Sequence, residues 1–237
     1  MRYGRLVTSL PPVTIEFFHS AASAFAAELA TKPLRDLYGA TDGKAVGTMV
    51  EALFKVYLQD RYDLTVGNAA SGLDFPSLNT DLKVTSLKQP QSSCPFKAAT
   101  QKIYGLGYNL LVLVYVKDDN HVEQAAYLDI RHVVYIDRAR TGDFSMTKLI
   151  REIVFRSSED VGGREAVIED IDALLQDKNM PLDEVSRRQL AERIVHDVPE
   201  QGVLTISNAL QWRLQYSRAI SAATAGSLGS EVVDLRA

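Results

Sequence analysis

Cysteine is almost missing from this chain, with Cys94 alone among 237 residues. A disulfide within the chain needs two thiols and a multi-cysteine metal site needs several, so both are excluded. The four histidines, His19, His121, His132 and His196, stand far apart, at no metal spacing and beside no nucleophile. Long apolar runs are missing as well. The strongest, Leu110 to Val116, falls far short of the roughly 20 residues that cross a bilayer. Glu16, His19 and Glu28 interrupt the stretch from Val13 to Ala30, which therefore does not read as a secretory leader. The expectation is a cytoplasmic protein with no membrane partner. Nor is there a strong excess of one charge, the formal net charge being -4. This does not advertise a nucleic-acid binder. It leaves room for a nuclease, whose metal site gathers carboxylates and pulls the total down.

What is present is ordinary for a globular protein: 46% hydrophobic and 24% charged residues. The length allows one large core, or a core with a smaller lobe. Residues 13 to 38 read as one or two helices broken near Pro33. The segment "TDGKAVGTMVEALFKVYLQDRYD" reads as a helix capped by Thr41 or Asp42, with Val46, Met49, Val50, Leu53 and Tyr57 as its inner stripe. Strands are expected near Leu64 to Asn68, Leu73 to Phe75 and Thr80 to Ser86, followed by a polar loop, "SLKQPQSSCP". "FKAATQKIYGLGY" reads as a helix, "NLLVLVYV" as a central strand and "AAYLDIRHVVYI" as a further strand. Beyond about residue 140, four segments have helical spacing, the last being "ISNALQWRLQYSRAI". The tail from Ser221 reads as loose. The expected organisation is a mixed α/β core over residues 1–140 and a mostly helical part over residues 141–237, with one continuous domain as the other reading.

The strand "TDLKVTS" poses a physical problem. Alternation puts Asp81, Lys83 and Thr85 on one face, with Leu82 and Val84 on the other, toward the core. A short hairpin brings Asp74 beside Asp81. Two carboxylates that close repel and tend to keep a proton between them. A divalent cation relieves the repulsion, and oxygen ligands of this kind suit Mg²⁺. Lys83 beside them would offset the negative charge that develops on a phosphate under attack. The bland alternative is a solvated strand face with an ion pair. A second acid-x-lysine triplet, Asp42-Gly43-Lys44, has no strand around it and reads as a helix cap.

Asp74 followed by Asp81-Leu82-Lys83 on a strand resembles the PD-(D/E)XK nuclease pattern, with Leu73 where the pattern has proline. The layout over residues 43 to about 130 is similar to the branch holding type II restriction endonucleases and the mismatch-repair nicking enzyme MutH. The resemblance implies a restriction-endonuclease-like core, a central mixed sheet flanked by helices. It implies that Asp74, Asp81 and the Leu82 carbonyl ligate Mg²⁺, for which Mn²⁺ can substitute. Lys83 would position or activate water, and Glu51 would bind a second metal or orient water. The implied reaction is site-specific hydrolysis of double-stranded DNA to 5′-phosphate and 3′-hydroxyl ends. The implied assembly is a homodimer, partnered in the cell by a protective DNA methyltransferase. A nicking or repair nuclease, or a non-catalytic DNA-binding module, are the other readings of the same core.

Candidate DNA contacts follow the catalytic strand. Lys88, Gln89, Gln91, Ser92 and Ser93 offer donors and acceptors for base edges or phosphates, although a plain polar connection also explains them. Gln101 and Tyr104 lie on one side of their helix and read equally as DNA contacts or as an ordinary helix surface, while Lys102 reads first as a solvated lysine and second as a phosphate contact. The C-terminal arginines Arg187, Arg188, Arg193, Arg213 and Arg218 are either backbone contacts or a charged outer face.

Overall fold

The computed structural model describes residues 10–64, 67, 72–94, 97–157, 163–207 and 213–236. In chain order the elements are α1 (Ile15–Leu29), α2 (Gly43–Gln59), β1 (Thr80–Ser86), β2 (Gln91–Ser93), α3 (Gln101–Tyr104), β3 (Asn109–Asn120), β4 (Ala125–Ile136), α4 (Phe144–Ser157), α5 (Gly163–Asp177), α6 (Glu184–His196), β5 (Thr205–Ile206), β6 (Arg213–Gln215), α7 (Ser217–Thr224) and β7 (Val232–Asp234). One sheet has the order β1-β3-β4-β7 and the other β2-β6-β5. The architecture is mixed α/β, as expected. Two units can be separated: the chain up to Gln89 with Leu111–Val133 and the residues from Leu235, and Pro90–Leu110 with Val134–Asp234.

In the first unit the Thr14 hydroxyl caps α1 by accepting from the Phe17 N–H at 3.3 Å. The Asp42 carboxylate caps α2 by accepting from the Lys44 N–H at 2.9 Å. That is the role expected of the Asp42-Gly43-Lys44 triplet. The inner row of α2 is Val46, Val50, Phe54 and Leu58. It is rotated from the expected stripe, and Met49, Leu53 and Tyr57 are only half-buried. Aromatic packing explains the rotation. Phe54 lies 4.9 Å from Phe25 and 5.8 Å from both Phe18 and Phe75, ring centre to ring centre. Strand β1 has the bounds read from the sequence, and β3 is buried from Leu110 to Tyr115. The strand expected near Leu64 to Asn68 lies mostly outside the described residues. The one expected over Leu73 to Phe75 shrinks to a single antiparallel bridge between Phe75 and Thr80.

The second unit departs more from expectation. Its helices α4, α5 and α6 pack around Met146, Ile150, Ile168, Ile171, Leu175 and Ile194. However, the loop expected after β1 contains β2, which pairs antiparallel with β6. The segment from Ile206 to Ile220, expected as a helix, contributes β5, β6 and the start of α7. In β6 the buried Leu214 lies between exposed Arg213 and Gln215, the alternation of a strand. The helix around "QKIY" is only four residues long and ends at Gly105, whose φ of 82° suits glycine. The tail is not loose. Its β7 pairs with the end of β4, Val232 opposite Ile136, and Val232 is fully buried. The C-terminal part carries the short strands β5, β6 and β7 after its three long helices.

Candidate active site

A tight chain reversal builds the site. The Phe75 N–H donates to the Thr80 carbonyl at 3.0 Å, and the Thr80 N–H donates back to Phe75 at 3.1 Å. Between them Pro76–Leu78 form a 3₁₀ turn. Asn79 closes it with φ at 47°, a left-handed conformation that asparagine tolerates better than most residues. Phe75 is fully buried against Phe18 and Phe54, which fixes the position of its neighbour Asp74. Asp74 Oδ2 accepts the N–H of Leu82 on the edge strand β1 at 3.0 Å. The carboxyl groups of Asp74 and Asp81 lie close enough for each to shift the other's titration. Lys83 Nζ lies 2.6 Å from Asp81 Oδ2. The hairpin therefore juxtaposes Asp74, Asp81 and Lys83.

The charged face of β1 is largely shielded, against the bland alternative of a solvated strand face. Thr80, Asp81, Leu82 and Thr85 are buried, while Lys83 and Val84 are half-buried. Burial is the main reason that the Asp81 carboxyl is pushed up to about 6; Lys83 opposes the rise and the Asp74 charge adds to it. Burial also acts to raise Asp74, but hydrogen bonds from Asp81, Lys55 and the Leu82 N–H outweigh it and hold Asp74 below the usual carboxylate value. The two aspartates have split into a readily ionised partner and one that keeps its proton longer.

Lys55 was not read from the sequence as part of the site. It sits one turn after Glu51 on α2, donating to Glu51 Oε1 at 2.5 Å and to Asp74 Oδ1 at 2.7 Å. Burial acts to lower its ammonium group, but the hydrogen bonds to Asp74 and Glu51 hold it above its ordinary value. The 4-residue spacing from Glu51 was visible, but such pairs decorate many exposed helices. Glu51 is linked to Asp74 through Lys55, which donates to both. Among the described residues, no group of three or more His, Cys, Asp or Glu side chains is arranged to hold a metal ion. The pair Asp74 and Asp81 still suits Mg²⁺, which takes one or two carboxylates and keeps several waters. Two neighbouring carboxylates, Asp81 buried and Asp74 half-buried, are a place where a cation is favoured.

The model of the type II restriction enzyme NspV family matches residues 12–229. The chain belongs to that family. A curated relative, the type II restriction enzyme NspV of Nostoc sp. (strain ATCC 29411 / PCC 7524), is 49% identical over 211 residues, which is 89% of this chain and 92% of the relative. No solved structure matches. Membership of the NspV family makes the protein a type II restriction enzyme, a site-specific deoxyribonuclease. The match extends through the C-terminal third, where the motif resemblance had found nothing to match.

The candidate DNA contacts of this NspV-family chain are differently placed. Lys88 and Gln89 are exposed just after β1, as a DNA-contacting loop requires. Gln91, Ser92 and Ser93 form β2, and the Ser92 hydroxyl bonds the Tyr216 hydroxyl at 2.5 Å. Gln101 works within its own segment, accepting from Lys97 N–H and donating to the Leu106 carbonyl. Lys102, expected at the surface, is buried at 6% exposure. Burial lowers its ammonium value, and the charge of Asp143 works against that. The Tyr104 hydroxyl donates to the Asp197 carbonyl at 2.9 Å, and Arg193 lies over its ring. Arg187 and Arg188 pair with Asp172 and Glu165, so both already have partners within the second unit.

Proposed function

We propose that the protein is a Mg²⁺-dependent endonuclease that cuts both strands of a specific double-stranded DNA sequence, leaving 5′-phosphate and 3′-hydroxyl ends, with Mn²⁺ able to replace Mg²⁺. The supporting observation is the hairpin that ties Asp74 to the Leu82 N–H beside Asp81, with Lys83 2.6 Å from the Asp81 carboxylate. The reading assigns the chain to the PD-(D/E)XK nucleases, with a restriction-endonuclease-like core.

In this reading Asp74, Asp81 and the Leu82 carbonyl hold the ion. When bound, the ion offsets charge on the scissile phosphate and lowers the pKa of water. To hold the ion Asp81 would have to be ionised, its proton released to solvent, since a ligand carboxylate must be deprotonated. Lys83, anchored by Asp81, directs its ammonium group at the attacking water or the phosphate, and a fixed cation there stabilises the developing charge. The edge strand and the buried Phe75 keep these groups in place. Lys88 and Gln89, with Gln91, Ser92, Ser93, Gln101 and Tyr104, are the proposed DNA-facing set. Lys102 belongs to it only if the segment opens around it. Symmetrical cutting of a palindrome calls for a homodimer, and the host genome then needs a cognate methyltransferase for protection.

Asp81→Ala tests the reading. Gel-shift and cleavage assays with the same DNA should show cutting abolished while binding persists. Undiminished cutting by Asp81→Ala would remove Asp81 from the chemistry.

A further inference from the structure

We propose that Lys55 is a positioning residue that stands where a second cation would stand, so that the centre accepts one divalent ion per chain. This rests on the metal-dependent reading above and specifies it. The argument begins with geometry. One ammonium group lies 2.5 Å from Glu51 Oε1 and 2.7 Å from Asp74 Oδ1. The Lys55 and Asp74 side chains are only 19% and 16% exposed, so the pair is shielded more than a surface ion pair on a helix. A divalent ion shared by Glu51 and Asp74 would need the volume that the ammonium group fills. The two cations would also repel.

Charge balance points the same way. Glu51, Asp74 and Asp81 bring three carboxylates, and Lys55 and Lys83 bring two ammonium groups. Fully ionised, the set carries one net negative charge. One divalent ion turns this into one net positive charge, which a single phosphodiester balances. A second ion would leave an excess that nothing in the set offsets. Glu51 then acts on the centre through Lys55. Lys55 in turn fixes one oxygen of Asp74 while the Leu82 N–H fixes the other at 3.0 Å. Asp74 is held in one orientation with the Lys55 ammonium group, and behind it Glu51, on its α2 side.

Mn²⁺ titration of the whole protein, followed by electron paramagnetic resonance and calorimetry, tests this without relying on cleavage. Wild type should take up one Mn²⁺ per chain. Lys55→Met should take up two, because Glu51 and Asp74 then face each other without a cation. Lys55→Arg should restore one. Asp81→Asn, in wild-type and Lys55→Met backgrounds, identifies the ion held at the aspartate pair. Two ions on wild type would overturn the proposal, whether or not the variants fold. So would a Lys55→Met protein that folds and still binds one ion with unchanged affinity. No Mn²⁺ on wild type or on Lys55→Met would instead contradict the metal-dependent reading beneath it, and the proposal would fall with it.

Discussion

Burial makes Asp81 a sensitive titrating group, with Lys83, two residues along the strand, opposing the shift. Its carboxyl value, about 6, lies above that of an unfolded aspartate. A raised carboxylate contributes stability that is fully present below the unfolded value and is lost as pH rises through the folded value. Metal-free protein should therefore lose up to about 3 kcal/mol of Asp81-linked stability between about pH 4 and pH 7. Denaturant melts of wild type and Asp81→Asn at several pH values check this, and the asparagine variant should lack that loss. The same proton competes with metal, so cleavage at limiting Mg²⁺ should rise with pH across about 5 to 7 and then level off. Lys83→Met should slow cutting by about 10²- to 10³-fold with DNA binding retained. Single-turnover rates measure it, and an unchanged rate would remove Lys83 from the chemistry.

At the scale of elements, the hairpin from Asp74 to Asp81 depends on its aromatic anchor. Phe75 is fully buried between Phe18 and Phe54. Phe75→Ala should cost about 3 to 5 kcal/mol and reduce cutting by more than the lost folded fraction explains, because Asp74 loses its anchor. Denaturant unfolding and specific activity per folded molecule separate the two effects. The strand "TDLKVTS" was legible because alternation and turn residues mark both of its ends. The acid pair was legible because Pro76, Ser77 and Asn79 announce a turn between the two aspartates. Other features were not legible for physical reasons. Strands β2, β5 and β6 are two or three residues long, too short to display a period. Strand β7 is specified by pairing with β4, not by its own composition. Lys55 reads locally as a helix ion pair, and its second partner is 19 residues away. Lys102 looks like any helix lysine until the fold covers it.

At the scale of the molecule, the family match over residues 12–229 covers both the acid hairpin and the helices and strands that follow it. The motif alone extended to about residue 130. The rest escaped notice because helices such as α5 and α6 carry generic amphipathic patterns that specify packing, not recognition. A homodimer is the assembly that cuts two strands of a palindrome symmetrically. Light scattering should give twice the mass of the chain in the presence of target DNA. A mass equal to one chain would favour the nicking alternative. The central claim, metal-dependent cutting at a defined sequence, is tested most directly by incubating pure protein with unmethylated phage DNA, with Mg²⁺ or with EDTA. Discrete fragments with Mg²⁺ and intact DNA with EDTA are predicted. Intact DNA in both, repeated with Mn²⁺ and with several DNA sources, would contradict the account, as would equal cutting with and without the ion.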